Sequence, residues 1–405
     1  MLHAVNAIRV IAEYLVVRLH TIAWTVGMNN FVTDLMSFFF VLSGFVMMHA
    51  HYSDCFASAS KKREFWIGRL KKAYPTYILN YVFHFHLIFV RASSPNYCPY
   101  HGVCSVMQIV ALNTWFGCGL NNVLNGVNWY IATLAWIWLA FPFMHGTLKT
   151  FFSTNVWTKM FVVNVLATAV IYPLSGYEIF TLCTVPALRL GEFIIGCGAA
   201  CAMRQLEPAE LTLRHWVPMT LIWTYIAALY TFFALPHGLD SLCAHEMTQN
   251  NRCSLWEKSK WIEAKSPCLL IWDKYFNKHA IIWSAVIYTV AVAEKSGDKS
   301  PIMRLLAHDF FKSLNAFSIT LYLGHTNADW VLTNATKAVG WLNFWHDDTR
   351  VLTIYALCYL LHLITMKISS AMFNHYAPLI QRESSMAVEE GQLKMMTAVE
   401  DGDSS

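Results

Sequence analysis

The chain is short of charge. Of its 405 residues only 13% are Asp, Glu, Lys or Arg, against about a quarter in soluble globular domains. A water-facing surface of this size needs more, which excludes an ordinary soluble enzyme. Gly and Pro are scarce, at 18 and 12 residues, too few for a collagen-like rod or a low-complexity linker protein. Eleven cysteines in 405 residues exclude a small disulfide scaffold. A net charge of +4 gives no reason to expect a nucleic-acid partner. No internal repeat of the kind many transporters carry is visible. The first apolar run holds charges and lacks a small-residue cleavage site, so no cleavable signal peptide is expected. What is abundant is apolar: 56% hydrophobic and 15% aromatic.

Crossing a bilayer takes about 20 helical residues. Ten runs qualify, at roughly 4–20, 31–50, 73–91, 128–146, 157–175, 182–203, 216–235, 279–293, 315–333 and 351–373. They are continuously apolar rather than alternating, which reads as helices and not as barrel strands. The expected fold is therefore an all-α polytopic membrane protein of about ten transmembrane helices. Orientation follows the loop cations. Lys61, Lys62, Arg63, Arg69, Lys71 and Lys72 follow the second run, and Lys295, Lys299, Arg304 and Lys312 follow the eighth. Both loops are expected to be cytoplasmic, as are both termini. The loops 21–30 and 92–127 contain no Lys or Arg and are expected outside. The loop 236–278 strains the rule with six cations, but long loops obey it weakly.

Cys98 and Cys104 fall in one expected outside loop, and Cys243, Cys253 and Cys268 in another. Clustered extracytoplasmic cysteines are disulfide candidates, with the pairing open. Asn334-Ala335-Thr336 is a glycosylation sequon on the expected outside. Residues 1–381 form the expected transmembrane domain, and 382–405 an acidic, disordered cytoplasmic tail. The membrane itself, plasma membrane or endomembrane, is left open.

Ionisable groups inside a bilayer are costly and mark function by default. In the first run Arg9 and His20 are eleven residues apart. Eleven steps of about 100° return the helix to nearly the same face, about 16 Å further along. Glu13, four residues after Arg9, is placed to pair with it. One face thus carries a permanent cation suited to phosphate or carboxylate and a group suited to proton transfer. The plainer reading has Arg9 snorkelling to the interface and His20 capping the helix near water. Arg189 and Glu192 stand at i,i+3 in the sixth run, as a structural pair or a substrate-positioning one. His325 lies near the outer end of the ninth run, as His20 does of the first, so the two can share a site. His49/His51 and His84/His86 have i,i+2 spacing and do not face each other on a helix. No metal site is expected.

These residues resemble the acyltransferase 3 family of integral-membrane acyltransferases over nearly the whole chain. Arg9 through His20 matches its Arg-x10-His motif, and Phe38 to Phe45 (FFFVLSGF) its second-span motif. Phe65 to Pro75 matches a basic segment ending in Tyr-Pro, and Asn128-Trp129-Tyr130 through Pro142 a Trp-led span. Arg189 to Gly196 and Ser318 to His325 match an Arg-x-x-Glu-Phe-x-x-Gly and a Ser-x-x-Leu-Tyr-x-x-His segment. Many members carry a Glu in the Trp-led span where this chain has Leu134.

The resemblance implies transfer of an acyl group, often acetyl, from cytoplasmic acyl-CoA to a hydroxyl of an extracytoplasmic acceptor, commonly carbohydrate. On that basis Arg69 and Lys72 would hold the donor phosphates and Arg9 would line the entry. His20 would be the base. His325 and Tyr322 would assist, with Arg189, Glu192 and Ser43 positioning substrate and Ser43-Gly44 permitting close helix approach. Acyl-CoA is then the donor co-substrate, with no metal; the lipid bilayer and a hydroxyl-bearing acceptor are the partners. The alternative class is a non-catalytic multi-pass protein: a transporter, a lipid handler or an inactive, receptor-like relative.

Overall fold

The computed structural model describes residues 2–21, 26–84, 99–115, 126–171, 184–206, 279–339 and 347–374. Among them every regular element is helical and no strand occurs. In chain order the helices are α1 (His3–Thr21), α2 (Val26–Ala50), α3 (Ala59–His84), α4 (Pro99–Ile109), α5 (Trp129–Phe151), α6 (Val156–Ile171), α7 (Pro186–Gln205), α8 (Ala280–Lys295), α9 (Pro301–Leu306), α10 (Asp309–Ala316), α11 (Ser318–Val339) and α12 (Asp347–Asn374). A 3-10 turn, Gly126–Asn128, leads into α5.

Helices lie over nine of the ten expected spans, and the remaining one, 216–235, lies outside the described residues. Length and apolarity qualify three stretches to cross a membrane: Gly126–Phe151, Pro186–Gln205 and Thr349–Ile368. Leu35–Ala50 and Val156–Ile171 are apolar but shorter. In α1 and α3 the reason is composition: Arg9, Glu13 and Arg18, and a run of six cations, interrupt otherwise apolar helices.

The centre of the bundle is the contact of α2 with α7. A Cβ on Gly44 would collide with the Phe193 carbonyl, and one on Gly196 with the Val41 carbonyl. Each glycine thus lets one backbone rest against the other, the small-residue packing that membrane helices use in place of a hydrophobic drive. Cys197 Sγ reaches the Gly44 carbonyl at 3.4 Å across the same contact. Phe40, Phe45, Phe141 and Phe193 fill the surrounding core. In contrast, α6 leaves Phe161, Val165, Leu166 and Val170 exposed, and α12 leaves Leu352, Leu360 and Ile364 exposed. Such apolar outer faces would be a liability in water and are natural in lipid.

Two contacts tie the beginning of the chain to distant segments. The His3 and Ala4 amides donate to the Glu294 carboxylate at 2.5 and 2.9 Å. A carboxylate there satisfies free N–H groups and complements the positive end of α1. Arg9 then donates to Asn315 at the end of α10. The start of α1, the end of α8 and the end of α10 therefore share one end of the bundle.

Candidate functional site

Helix α1 meets the end of α10 and then α11 along a parallel seam of polar contacts. Arg9 Nη2 donates to the Asn315 side-chain and backbone oxygens. Ser318 Oγ donates to Glu13 Oε1. His20 Nδ1 lies 2.8 Å from His325 Nε2. The sequence separations are 306, 305 and 305, so the two segments run in the same direction in a fixed register. Seven residues separate Glu13 from His20 and Ser318 from His325; two helical turns on each strand of the seam keep the contacts in step.

The hydrogen bonds decide where the protons sit on the histidine pair. His325 Nδ1 lies 2.7 Å from the Tyr322 carbonyl and 3.3 Å from the Leu321 carbonyl. A carbonyl only accepts, so Nδ1 carries the proton and Nε2 is the acceptor. His20 Nδ1–H then donates to that Nε2, which leaves His20 Nε2 as its basic nitrogen. The rings are stacked, with centroids 4.9 Å apart. His325 is wholly buried and His20 partly so.

Below the pair lies a cavity of about 130 Å³. Arg9, Glu13, Arg69 and Lys72 supply its charges, and Phe39, Leu42, Ile131, Leu134 and Trp138 much of its apolar wall. Ser43 and Tyr322 also line it. Five expected residues, Arg9, Arg69, Lys72, Ser43 and Tyr322, thus converge here. His20 and His325 do not line it. Tyr322 stands between, its ring 6.1 Å from His325 and 5.1 Å from Tyr130. Leu134 is buried in the wall, so the cavity has an apolar surface where a glutamate would have added charge. The carboxylate present is Glu13, 3.7 Å from Arg9 Nε and with Oε2 buried without a hydrogen-bond partner.

Arg69 is held from behind. Its Nη2 donates to His51 Nε2 at 2.9 Å, and His51 Nδ1 donates to Asp54 at 2.6 Å. Arginine only donates, so this contact requires the neutral His51 tautomer. Lys72, in the basic segment ahead of the third expected span, meets solvent at the cavity mouth. The surrounding protein nonetheless lowers its ammonium pKa from the ordinary lysine value by burial, and Arg9 and Arg69 add to this. An anion placed there would relieve all three cations.

Arg189 and Glu192 are not brought to the cavity. They form a fully buried pair, Arg189 Nη1 donating to both carboxylate oxygens at 2.9 Å. The guanidinium lies 5.0 Å from the Phe40 ring and 5.6 Å from that of Trp129. This geometry braces α7 against the α2 and α5 aromatics. Asn334 is exposed on α11, and the Thr336 hydroxyl of its sequon bonds the Leu332 carbonyl at 2.9 Å. Cys104 is disulfide-bonded. Cys98, Cys243, Cys253 and Cys268 lie outside the described residues, as does the tail 382–405. Sequence reasoning passed over Asn315 and the pairing of Glu13 with Ser318. The matching seven-residue spacings were the available signal, but a register between helices three hundred residues apart has no trace in either alone.

A polar seam and a charged cavity inside a bundle with apolar outer faces define an integral membrane protein of the all-helical class. The chain belongs to the acyltransferase 3 family, whose acyltransferase domain matches residues 2–363. Comparison with curated proteins and with solved structures returned no match.

Proposed function

We propose that this membrane acyltransferase moves a short acyl group, acetyl foremost, from cytoplasmic acyl-CoA to a hydroxyl on an extracytoplasmic acceptor, carbohydrate being the leading class. The observation that carries the reading is the α1–α11 seam, with cations at one end and a tautomer-defined histidine pair at the other. The donor enters from the side of Arg9, Arg69 and Lys72. Guanidinium and ammonium groups suit its phosphates. Its thin thioester arm occupies the cavity of about 130 Å³. Tyr322 forms the partition that the arm must pass to reach the histidines.

His20 Nε2 removes the acceptor's hydroxyl proton as the oxygen attacks the thioester carbonyl. The new C–O bond forms, the C–S bond breaks, and the proton passes from His20 to the departing thiolate to give free CoA. His325 accepts from His20 Nδ1–H throughout, so the transient imidazolium stays oriented and stabilised, as the third member of a catalytic triad does for its histidine. The chain would lie multi-pass in the bilayer, with both termini cytoplasmic.

The test is transfer from labelled acyl-CoA by the purified chain in lipid. His20→Ala should lower turnover by on the order of 10²–10⁴-fold, the range of general-base catalysis, with donor affinity kept. Full turnover by a folded His20→Ala variant would sink the assignment. Acyl-CoA binding with no release of free CoA by the unaltered chain would favour a non-catalytic relative, the reading to which Leu134 gives weight.

A further inference from the structure

Asn128 closes the 3-10 turn Gly126–Asn128 and stands at the N-cap of α5. An asparagine there ordinarily accepts a hydrogen bond from the first turn of its helix. This one does not: its backbone is already helical, at φ −62° and ψ −18°, and its side chain makes no capping bond. The residue is wholly buried, and neither its side-chain nitrogen nor its side-chain oxygen has a hydrogen-bond partner. Exchanging the two atoms would change nothing, since both ends are orphaned. A buried amide bonded at neither end is destabilising and calls for a partner that arrives with a ligand.

Its level in the bundle follows from its neighbours. The turn packs against α11, and the Tyr130 ring lies 5.1 Å from that of Tyr322. Helix α5 runs toward the basic segment, where the Lys62 ammonium lies 4.5 Å from the Phe143 ring. Helix α11 starts from that same end, beside Arg9 and Asn315, so the two helices are antiparallel. Moving outward from the Tyr130–Tyr322 contact, Asn128 is two residues on and His325 three, rises of about 3 and 4.5 Å. Asn128 therefore stands at the level of the histidine pair, on the far side of the tyrosines from the charged cavity.

Attack on a thioester puts negative charge on the carbonyl oxygen, and catalysis needs a donor aimed at it. The neighbouring donors are spent. Tyr130 donates to the Phe39 carbonyl and Tyr322 to Met36 Sδ. The ring N–H groups of His20 and His325 are engaged within the pair and on backbone carbonyls. The Asn128 amide is not.

We propose that Asn128 is the oxyanion donor of the acyl transfer, an inference that rests on the acyltransferase reading. As the acceptor oxygen bonds to the thioester carbon, the carbonyl electron pair moves onto its oxygen, which accepts from Asn128 Nδ2–H. His20 Nε2 takes the hydroxyl proton. The pair then returns to re-form C=O, the C–S bond breaks, and the thiolate leaves with the proton from His20.

The purified full chain in lipid is given acetyl-CoA, with methyl glucoside as the hydroxyl, and release of free CoA is followed. Asn128→Leu should lower kcat by on the order of 10²–10³-fold, with little change in KM for acetyl-CoA. Affinity for S-ethyl-CoA, a thioether that has the arm but no carbonyl, should not move. Thermal stability should hold or rise, since an orphaned amide is gone. Asn128→Ala is the second variant should leucine overpack the turn, and the same split is expected of it. Full kcat in a folded variant of either kind would overturn the assignment. So would a fall in kcat matched by losses of S-ethyl-CoA affinity and thermal stability, which would make Asn128 a structural part of the turn. Either result leaves the acyltransferase reading standing if the unaltered chain turns over and His20→Ala does not. If the unaltered chain releases no CoA, both fall.

Discussion

A neutral histidine can hold its proton on either nitrogen, and in α11 the backbone makes the choice. The Tyr322 carbonyl, 2.7 Å from His325 Nδ1, fixes the acceptor nitrogen toward His20 and so fixes the tautomer of both rings. The role is one of accepting a hydrogen bond, which gives a sharp test. His325→Leu should lower turnover by on the order of 10²-fold. His325→Gln, whose side-chain oxygen still accepts, should recover much of it, with a restored pH profile of turnover. Equal losses in the two variants would mean that the ring only packs. A second relay positions Arg69 through His51 and Asp54. His51→Ala should raise the donor KM several-fold, since a hydrogen bond to a charged group is worth about 1.5–3 kcal/mol, with turnover little changed. A fall in turnover at constant KM would contradict the positioning role. At this scale much was legible. The i,i+4 spacing of Arg9 and Glu13 announces their pair, and matching positions near the outer ends of two spans suggest His20 with His325. Nothing comparable announces that His362 and Lys71 line one cavity, because that depends on how α12 rests on α3.

Helices in lipid gain little from burying apolar surface against one another, so their packing rests on how closely backbones approach. In α2 and α7 that approach is set by Gly44 and Gly196, each facing the other helix's carbonyl. A methyl group at either position must push the helices apart. Gly44→Ala and Gly196→Ala should therefore reduce the folded yield severely, read as monodisperse protein in detergent and as loss of thermal stability. Gly68 in α3 and Gly146 in α5 are the controls, since nothing lies within 4 Å of a Cβ at either. Alanine there should be neutral or stabilising by up to about 1 kcal/mol through helix propensity. Loss of stability in the controls equal to that in α2 would refute the packing argument. The Ser43-Gly44 pair in the second span signals such an approach from sequence alone. The identity of the opposing helix does not follow from it, nor does the reciprocal role of Gly196, because each glycine is defined by a partner about 150 residues away. The α1–α11 seam has the same character: Glu13/His20 and Ser318/His325 carry equal spacing, but only their contact turns two spacings into one register.

Across the whole molecule, several of the described charges meet at one end of the bundle. Arg69 and Lys72 of the basic segment line one cavity together with Arg9, while Glu294 caps α1 and Asn315 binds Arg9. The ends expected from loop cations to be cytoplasmic are thus brought together by direct contacts, and the parallel run of α1 and α11 agrees with an odd number of crossings between them. Loop charge gives such an orientation only by statistics; the contacts say which segments share a side and not which side it is. A native residue can decide that. Cys55, between α2 and α3, is free and exposed, whereas the other free cysteines among the described residues, Cys197, Cys201 and Cys358, are buried. In intact cells a membrane-impermeant maleimide should leave the Cys55 peptide unmodified, and permeabilisation should expose it. Cysteine placed at Asp298, beyond α8, should follow the same pattern, since Glu294 ties that end to α1. Labelling of both sites from outside would invert the proposed topology and put the cationic cavities on the side without acyl-CoA. Labelling of one and not the other would break the tie between the two ends. The pattern expected, both sites closed until the membrane is opened, puts Arg9, Arg69 and Lys72 where an anionic donor is made and leaves the histidine pair toward the acceptor side.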